Sequence, residues 1–219
     1  MKVPRKSLER NLFSQGYTRV LAVDEVGMAC LAGPVVVCAV SVGPGFYRHW
    51  HKKLAWMRDS KLLLPHQRER FADVLAGQAG LKWKISRCSV DTIDRINIYQ
   101  ASRRAMLKAL DALRHVQDAN DNPIVLVDGN KIIHGLDLPQ LPVIKGDRRV
   151  WAIAAASILA KVFRDRMMAR YAKRFPGYGL EQHKGYPTPL HRERLRQLGP
   201  TPLHRSSFRW SPAPRHTES

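Results

Sequence analysis

Short apolar runs bounded by Gly, Pro or charge alternate along this chain with longer stretches of helical periodicity. The first run, Arg19 to Asp24, closes on two adjacent carboxylates, Asp24 and Glu25, and a small-residue turn leads to a second run at Pro34 to Val42. Runs this short and rich in Val read as strands. In the second, Val35, Val37 and Ala39 alternate with Val36, Cys38 and Val40, so both faces are apolar and the strand belongs inside a sheet covered by helices on either side. A helical pattern over His66 to Leu75, a strand at Leu81 to Val90, and a long helix from Thr92 to about Val116, capped by Asp91, come next. Ile124 to Val127 is a further buried strand that runs into Asp128-Gly129, and Leu141 to Ile144 is a short one whose Pro142 puts it at an edge. A long helix from about Arg149 to Arg174 stops at Pro176-Gly177, and a short helix follows near Pro189 to Leu198. This alternation predicts an α/β layered domain over 19–175 with a helical C-terminal extension over 176–208. The basic stretch 1–18 reads as a loosely held lead-in and 209–219 as a disordered tail.

Composition narrows the class. A hydrophobic content of 44% beside 25% charged residues in 219 positions is that of a globular chain with a real core. Lys and Arg number 37 against 18 Asp and Glu, a net charge of +19. That surplus points to a polyanionic partner, nucleic acid ahead of an anionic membrane. The three cysteines, Cys30, Cys38 and Cys88, are odd in number and lack metal-ligand spacing, which suits reduced, cytoplasmic use. The N-terminus has basic residues without an apolar core behind them, and no run approaches membrane-spanning length. A cytoplasmic protein with no membrane role is expected.

The candidate chemistry collects at strand ends. Asp24-Glu25, Asp128 and Asp147 each follow a short apolar run, and ligand sites of α/β sheets favour the C-terminal ends of strands. Neighbours within a strand point to opposite faces, so Asp24 and Glu25 share one site only if the chain begins to turn there, which Gly27 permits. Oxygen ligands without His or Cys select Mg2+ or Mn2+ over zinc. In a basic protein this suggests two-metal phosphodiester chemistry, with ions roughly 3.5–4 Å apart. Each acid also has a plainer reading. Asp24-Glu25 suits a solvated turn, Asp128-Gly129 a turn, and Asp147 a helix cap. Asp165 shares a helix face with Ala154, Ile158 and Lys161, and either approaches the strand ends or pairs with Lys161.

Ten stretches, in order, resemble bacterial ribonuclease HII. They are DEVG at 24–27, LAGPV at 31–35, DSK at 59–61, IDRINIYQAS at 93–102, VDGN at 127–130, KGD at 145–147, AAASILAKVFRDR at 154–166, FPGYG at 175–179, HKGYPT at 183–188 and HRSSF at 204–208. The resemblance implies an RNase H-like fold, a central mixed β-sheet flanked by helices with a small helical C-terminal extension. It implies a catalytic metal site of Asp24, Glu25, Asp128 and Asp147 holding Mn2+ or Mg2+, with Asp24 bridging two ions and Asp165 supporting the site. It also implies that Tyr186 packs on the deoxyribose beside the scissile ribonucleotide, and that Lys61 approaches a backbone phosphate. His183 and Lys184 read as scaffold or phosphate contacts. The partner would be an RNA–DNA hybrid or a DNA duplex containing ribonucleotides, cut by a monomer to leave 3′-hydroxyl and 5′-phosphate ends. Sensing the 2′-hydroxyl is how such a protein separates RNA from DNA.

One departure stands out. The family follows its Asp-Glu-Val-Gly with Arg-Gly-Pro, whose Gly-Arg-Gly element contacts the 2′-hydroxyl and neighbouring phosphates. Here Met28, Ala29 and Cys30 follow Gly27. Gly27, Met28 and Ala29 remain the expected nucleic-acid contacts, with the arginine charge gone and a methyl at Ala29 that is costly if the position needs φ > 0. A weakened enzyme, or a relative that binds nucleic acid without cutting it, is the alternative expectation. The related ribonuclease HIII carries an extra N-terminal domain, for which the 23 residues before Asp24 leave no room.

Overall fold

The computed structural model describes residues 7–46, 54, 57, 60, 63–114 and 121–209. Lys61 and the tail from 210 lie outside these residues. In chain order the elements are α1 (Ser7–Ser14), β1 (Arg19–Val26), β2 (Val35–Val42), α2 (Pro65–Ala76), β3 (Leu81–Cys88), α3 (Val90–Ile96), α4 (Ile98–Arg114), β4 (Pro123–Asp128), β5 (Gln140–Val143), α5 (Gly146–Arg149), α6 (Trp151–Arg174), α7 (Leu180–His183) and α8 (Pro189–Leu198). The five strands form one mixed sheet in the order β3-β2-β1-β4-β5. β2 is antiparallel to both β1 and β3, and β4 runs parallel to β1 and β5. β5, with Pro142, is the edge, as its sequence predicts.

The strict alternation of β1 sorts its side chains between two cores. Val20 and Ala22 pack with Cys38, Val40 and the buried residues of α6. Leu21 and Val23 pack with Val35, Val37, Ala39 and the apolar face of α4. Every residue of β2 is buried, because both its faces are covered. From Trp151 to Ala160, α6 is buried all round, and its alanines let the backbone approach the sheet closely. A third, smaller core of Leu31, Ala32, Met168, Tyr178, Leu180, Leu195 and Leu203 joins the C-terminal extension to the loop after β1. Among the described residues no helix is long and apolar enough to cross a membrane. The three cysteines are free and buried.

Three local expectations change. The lead-in contains a helix, α1, with Leu12 buried and Glu9 accepting the Ala152 backbone N–H at 3.1 Å. A carboxylate at that end of α6 meets the positive end of the helix dipole. The single helix from Thr92 is two. Ser89, not Asp91, caps α3, and Asn97 (φ 65°) stops it while its Oδ1 accepts from Gln100 N–H at the start of α4. Finally, β1 continues through Val26 rather than turning after Asp24, yet the Glu25 charge still reaches the Asp24 carboxyl.

Candidate active site

β1 and β4 run parallel with Val23 paired to Val127, which places the next residues, Asp24 and Asp128, at the same end of the sheet. Asp24 follows Ala22 onto the α6 side and is only 6% exposed; one of its oxygens accepts the Glu25 N–H at 2.8 Å. Asp128 Oδ1 accepts the Gly146 N–H at 2.7 Å, which draws the turn after β5 against the end of β4. A side chain at Gly146 would meet Ile153 and the Asp128 carboxylate, so only glycine lets this turn come so close. Lys145 in the left-handed region then starts α5, and Asp147 in its first turn is buried at 4% exposure. Asp147 is thus not the cap of the long helix. A break at Val150 separates α5 from α6.

The charges of the other three acids act on Asp24. Burial first, then the charges of Glu25 and Asp128, hold the Asp24 carboxyl well above the ordinary carboxylate range; a hydrogen bond with Ser157 of α6 works against this, and Asp147 adds to it. A buried carboxylate pressed by three others, relieved by one hydroxyl and one backbone N–H, has the charge and the hard oxygen donors that suit a divalent cation. Among the described residues no three His, Cys, Asp or Glu side chains close into a finished cation cage. The fit therefore rests on charge and donor type, with Asp24, Glu25, Asp128 and Asp147 as the residues able to hold such an ion.

Asp165 stands apart from this group. It pairs with Lys161 at 2.7 Å and with Arg68 at 3.5 Å, and Lys161 in turn sits 5.3 Å above the Tyr186 ring. Of the two readings open for Asp165, the partner of Lys161 is the one realised. Gly27 (φ 98°) has no room for a side chain, since a Cβ would fall 2.5 Å from Arg164 Nε. Ala29 is exposed and outside the positive-φ residues, so its methyl carries no backbone cost. Met28 is half-buried beside it.

Sequence patterns assign no role to several residues that shape this region. Arg164 and Arg205 are buried and spend their donors on backbone carbonyls of the loop after β1. Arginine is a surface residue by default, and nothing in its spacing marks a buried one. Around Tyr186, three buried histidines form a chain of neutral rings. His204 Nδ1 accepts from Thr201 N–H, so its other nitrogen donates to His191 Nε2 at 3.2 Å, leaving His191 Nδ1 to donate to the Tyr186 carbonyl. His183 Nδ1 accepts the Gly185 N–H while its Nε2 donates to the Tyr178 carbonyl. Burial pushes both His191 and His204 down to about 4.

A sequence profile described as Ribonuclease HII matches residues 21–211. The ribonuclease HII of Ruegeria pomeroyi is 46% identical over 209 residues, covering 95% of this chain and 84% of its own. That of Moorella thermoacetica is 47% identical over 201 residues, 92% of this chain and 91% of its own. Among solved structures, ribonuclease H2 from Pyrococcus horikoshii superposes with a TM-score of 0.71 at 22% identity, covering 88% of this chain and 94% of that one, a likeness of fold. The mixed sheet flanked by helices is accordingly RNase H-like, and the chain belongs to the ribonuclease HII family of ribonuclease H endonucleases.

Proposed function

We propose that the chain is a metal-dependent endonuclease that hydrolyses the RNA strand of RNA–DNA hybrids and cuts duplex DNA 5′ to an embedded ribonucleotide, leaving 3′-hydroxyl and 5′-phosphate ends. The observation that carries this reading is the buried Asp24, placed where the parallel pairing of β1 and β4 ends and acted on by the charges of Glu25, Asp128 and Asp147, in a chain of net charge +19. Asp24, Glu25, Asp128 and Asp147 would hold Mn2+ or Mg2+, which supplies activation of water and stabilisation of the leaving oxygen. Asp24, pressed by the other three charges, would be the ligand whose ionised form a bound cation relieves most. The Gly146 N–H aims Asp128, and Ser157 steadies Asp24. Tyr186 offers its ring to the sugar beside the cleaved bond, with Lys161 adding positive charge next to it. Lys61, outside the described residues, takes a backbone phosphate. One copy of the chain carries every residue named, which supports action as a monomer.

The test is cleavage of a long RNA–DNA hybrid and of a DNA duplex with one ribonucleotide, each with Mn2+ and with Mg2+. Cleavage lost in Asp128→Asn, with duplex binding retained, is the expected result. A wild-type protein that cuts neither substrate with either ion overturns the proposal.

A further inference from the structure

A cavity of about 450 Å3 opens where β3 meets α3, with walls from β3, α3, α4 and α6. Cys88 ends β3 opposite Val35, the first residue of β2. The cavity therefore lies at the end of the sheet where β1 also ends, with β2 between them. It shares no lining residue with the four acids or with Tyr186. Three cations line it, Arg87 from β3 and Arg104 and Lys108 from α4, against a single acid, Asp91. Arg104 and Lys108 lie one helical turn apart, and like charges at that spacing weaken a helix. Both charges reach the Cys88 thiol, which burial pushes up and they draw back. Arg87 precedes Cys88 on the strand and faces the other side of the sheet, where its Nη1 lies 3.4 Å from Met167 Sδ of α6.

In a chain with 37 Lys and Arg an unpaired cation is ordinary. Three that converge on one concave surface are not. Arg68, Arg166 and Arg196 each meet a carboxylate. Among the described residues Arg104 and Lys108 have neither a hydrogen bond nor an ion pair, and Arg87 bonds only to a thioether, a weak acceptor. Their donors are uncommitted. Ser89 and Thr92, with hydroxyls 3.1 Å apart, add a neutral donor to the wall. The volume falls within the roughly 300–1,000 Å3 of small-molecule sites. Cations arriving from both sides of the sheet suit a tetrahedral oxyanion better than a planar carboxylate, and the arginine fork matches two of its oxygens. We propose that this cavity binds a phosphate group, at a site separate from the four acids, with Arg87, Arg104 and Lys108 as its cations. The phosphate belongs either to a small phosphorylated molecule or to a nucleic-acid backbone lying across this end of the sheet.

Arg104→Gln/Lys108→Gln removes two of the cations and leaves good helix formers in their place. The metal-free protein is titrated with inorganic phosphate and, separately, with an all-DNA duplex, and amide NMR shifts are read at Ser89, Asp91 and Thr92. With phosphate, the wild-type shifts are expected to saturate with a Kd on the order of 1 mM, weakened at least about ten-fold in the double variant. Asp91→Asn removes the one acid and tightens binding several-fold, a gain that no folding defect produces. If the phosphate is that of a backbone, the duplex moves the same amides, and the slope of log affinity against log salt falls by about one in the double variant. Lys82→Gln/Lys84→Gln loses the same charge from β3 outside the cavity and keeps that slope. A response to phosphate alone identifies a small phosphorylated ligand; a response to the duplex, with the slope lost only in the cavity variant, identifies the backbone. Wild-type amides that move with neither probe overturn the proposal, a measurement that needs no variant. A double variant that responds as the wild type does, or a slope that falls equally in the control, also overturns it. Each measurement is of binding, so its failure is distinct from a failure of the protein to cut.

Discussion

Asp24 and Asp128 stand where the pairing of two parallel strands ends, each immediately after the paired residues Val23 and Val127. Burial, then the neighbouring charges, raise the Asp24 carboxyl, so its ionised form weakens the metal-free fold. Asp24→Asn removes that burden while leaving an oxygen to accept the Glu25 N–H. In metal-free buffer above neutral pH the variant melts a few degrees higher than the wild type, on the order of 1 kcal/mol more stable, while its kcat falls by at least about 100-fold. Calorimetry beside the cleavage assay checks both, and a variant less stable than the wild type contradicts the electrostatic argument.

Asp165 separates a ligand from a support. Because it is bound to Lys161 and Arg68, Asp165→Asn loosens the ammonium held above Tyr186 and leaves the acids of the strand ends untouched. The expected effect is a several-fold rise in KM with kcat nearly constant. A collapse of kcat would place Asp165 among the metal ligands instead.

The histidine chain makes stability sensitive to acid. His191 and His204 are held neutral in the fold, down to about 4, whereas in the unfolded chain they titrate near 6.5. The folded values are depressed, so their contribution is fully present above about pH 6.5 and is lost as pH falls towards 4. In the Asp24→Asn background, which removes the main opposing carboxyl, Tm drops on the order of 5 °C between pH 7 and pH 5. Proton NMR titration of the two rings gives an independent reading, and an inflection near 6.5 for either ring contradicts the neutral chain.

The departure at positions 28–30 divides into parts with different consequences. Met28→Arg restores a cation beside the substrate path and is expected to lower KM several-fold at low salt, an effect that fades as salt rises. Ala29→Gly relieves no strain, because Ala29 is not in the left-handed region, and its stability stays within about 0.5–1 kcal/mol of the wild type. Cys30→Pro removes the N–H that bonds the Gly27 carbonyl at 3.4 Å. Salt-dependent kinetics of the three single variants sort these contributions.

The chain alone indicated all five strands, most of the helices and the acids proposed as ligands. Apolar runs on both strand faces specify a sheet covered twice, Pro142 specifies one of its edges, and carboxylates placed just past Val23, Val127 and the β5 run mark the end of the sheet where the proposed ligands lie. These are local properties, since periodicity and the position of an acid after a strand are written in neighbouring residues. Tertiary structure decided the rest. The Asn97 break is invisible because apolar spacing runs straight through it. Glu9 looks like a solvated charge until α6 ends against it. Asp165 could approach the strand ends or pair with Lys161 until the fold brings Lys161 and, from α2, Arg68 against it. The inward turn of the Gly27 and Met28 carbonyls depends on Arg205, 177 positions beyond Met28, and no local pattern encodes a contact made only when the C-terminal extension folds back onto the sheet.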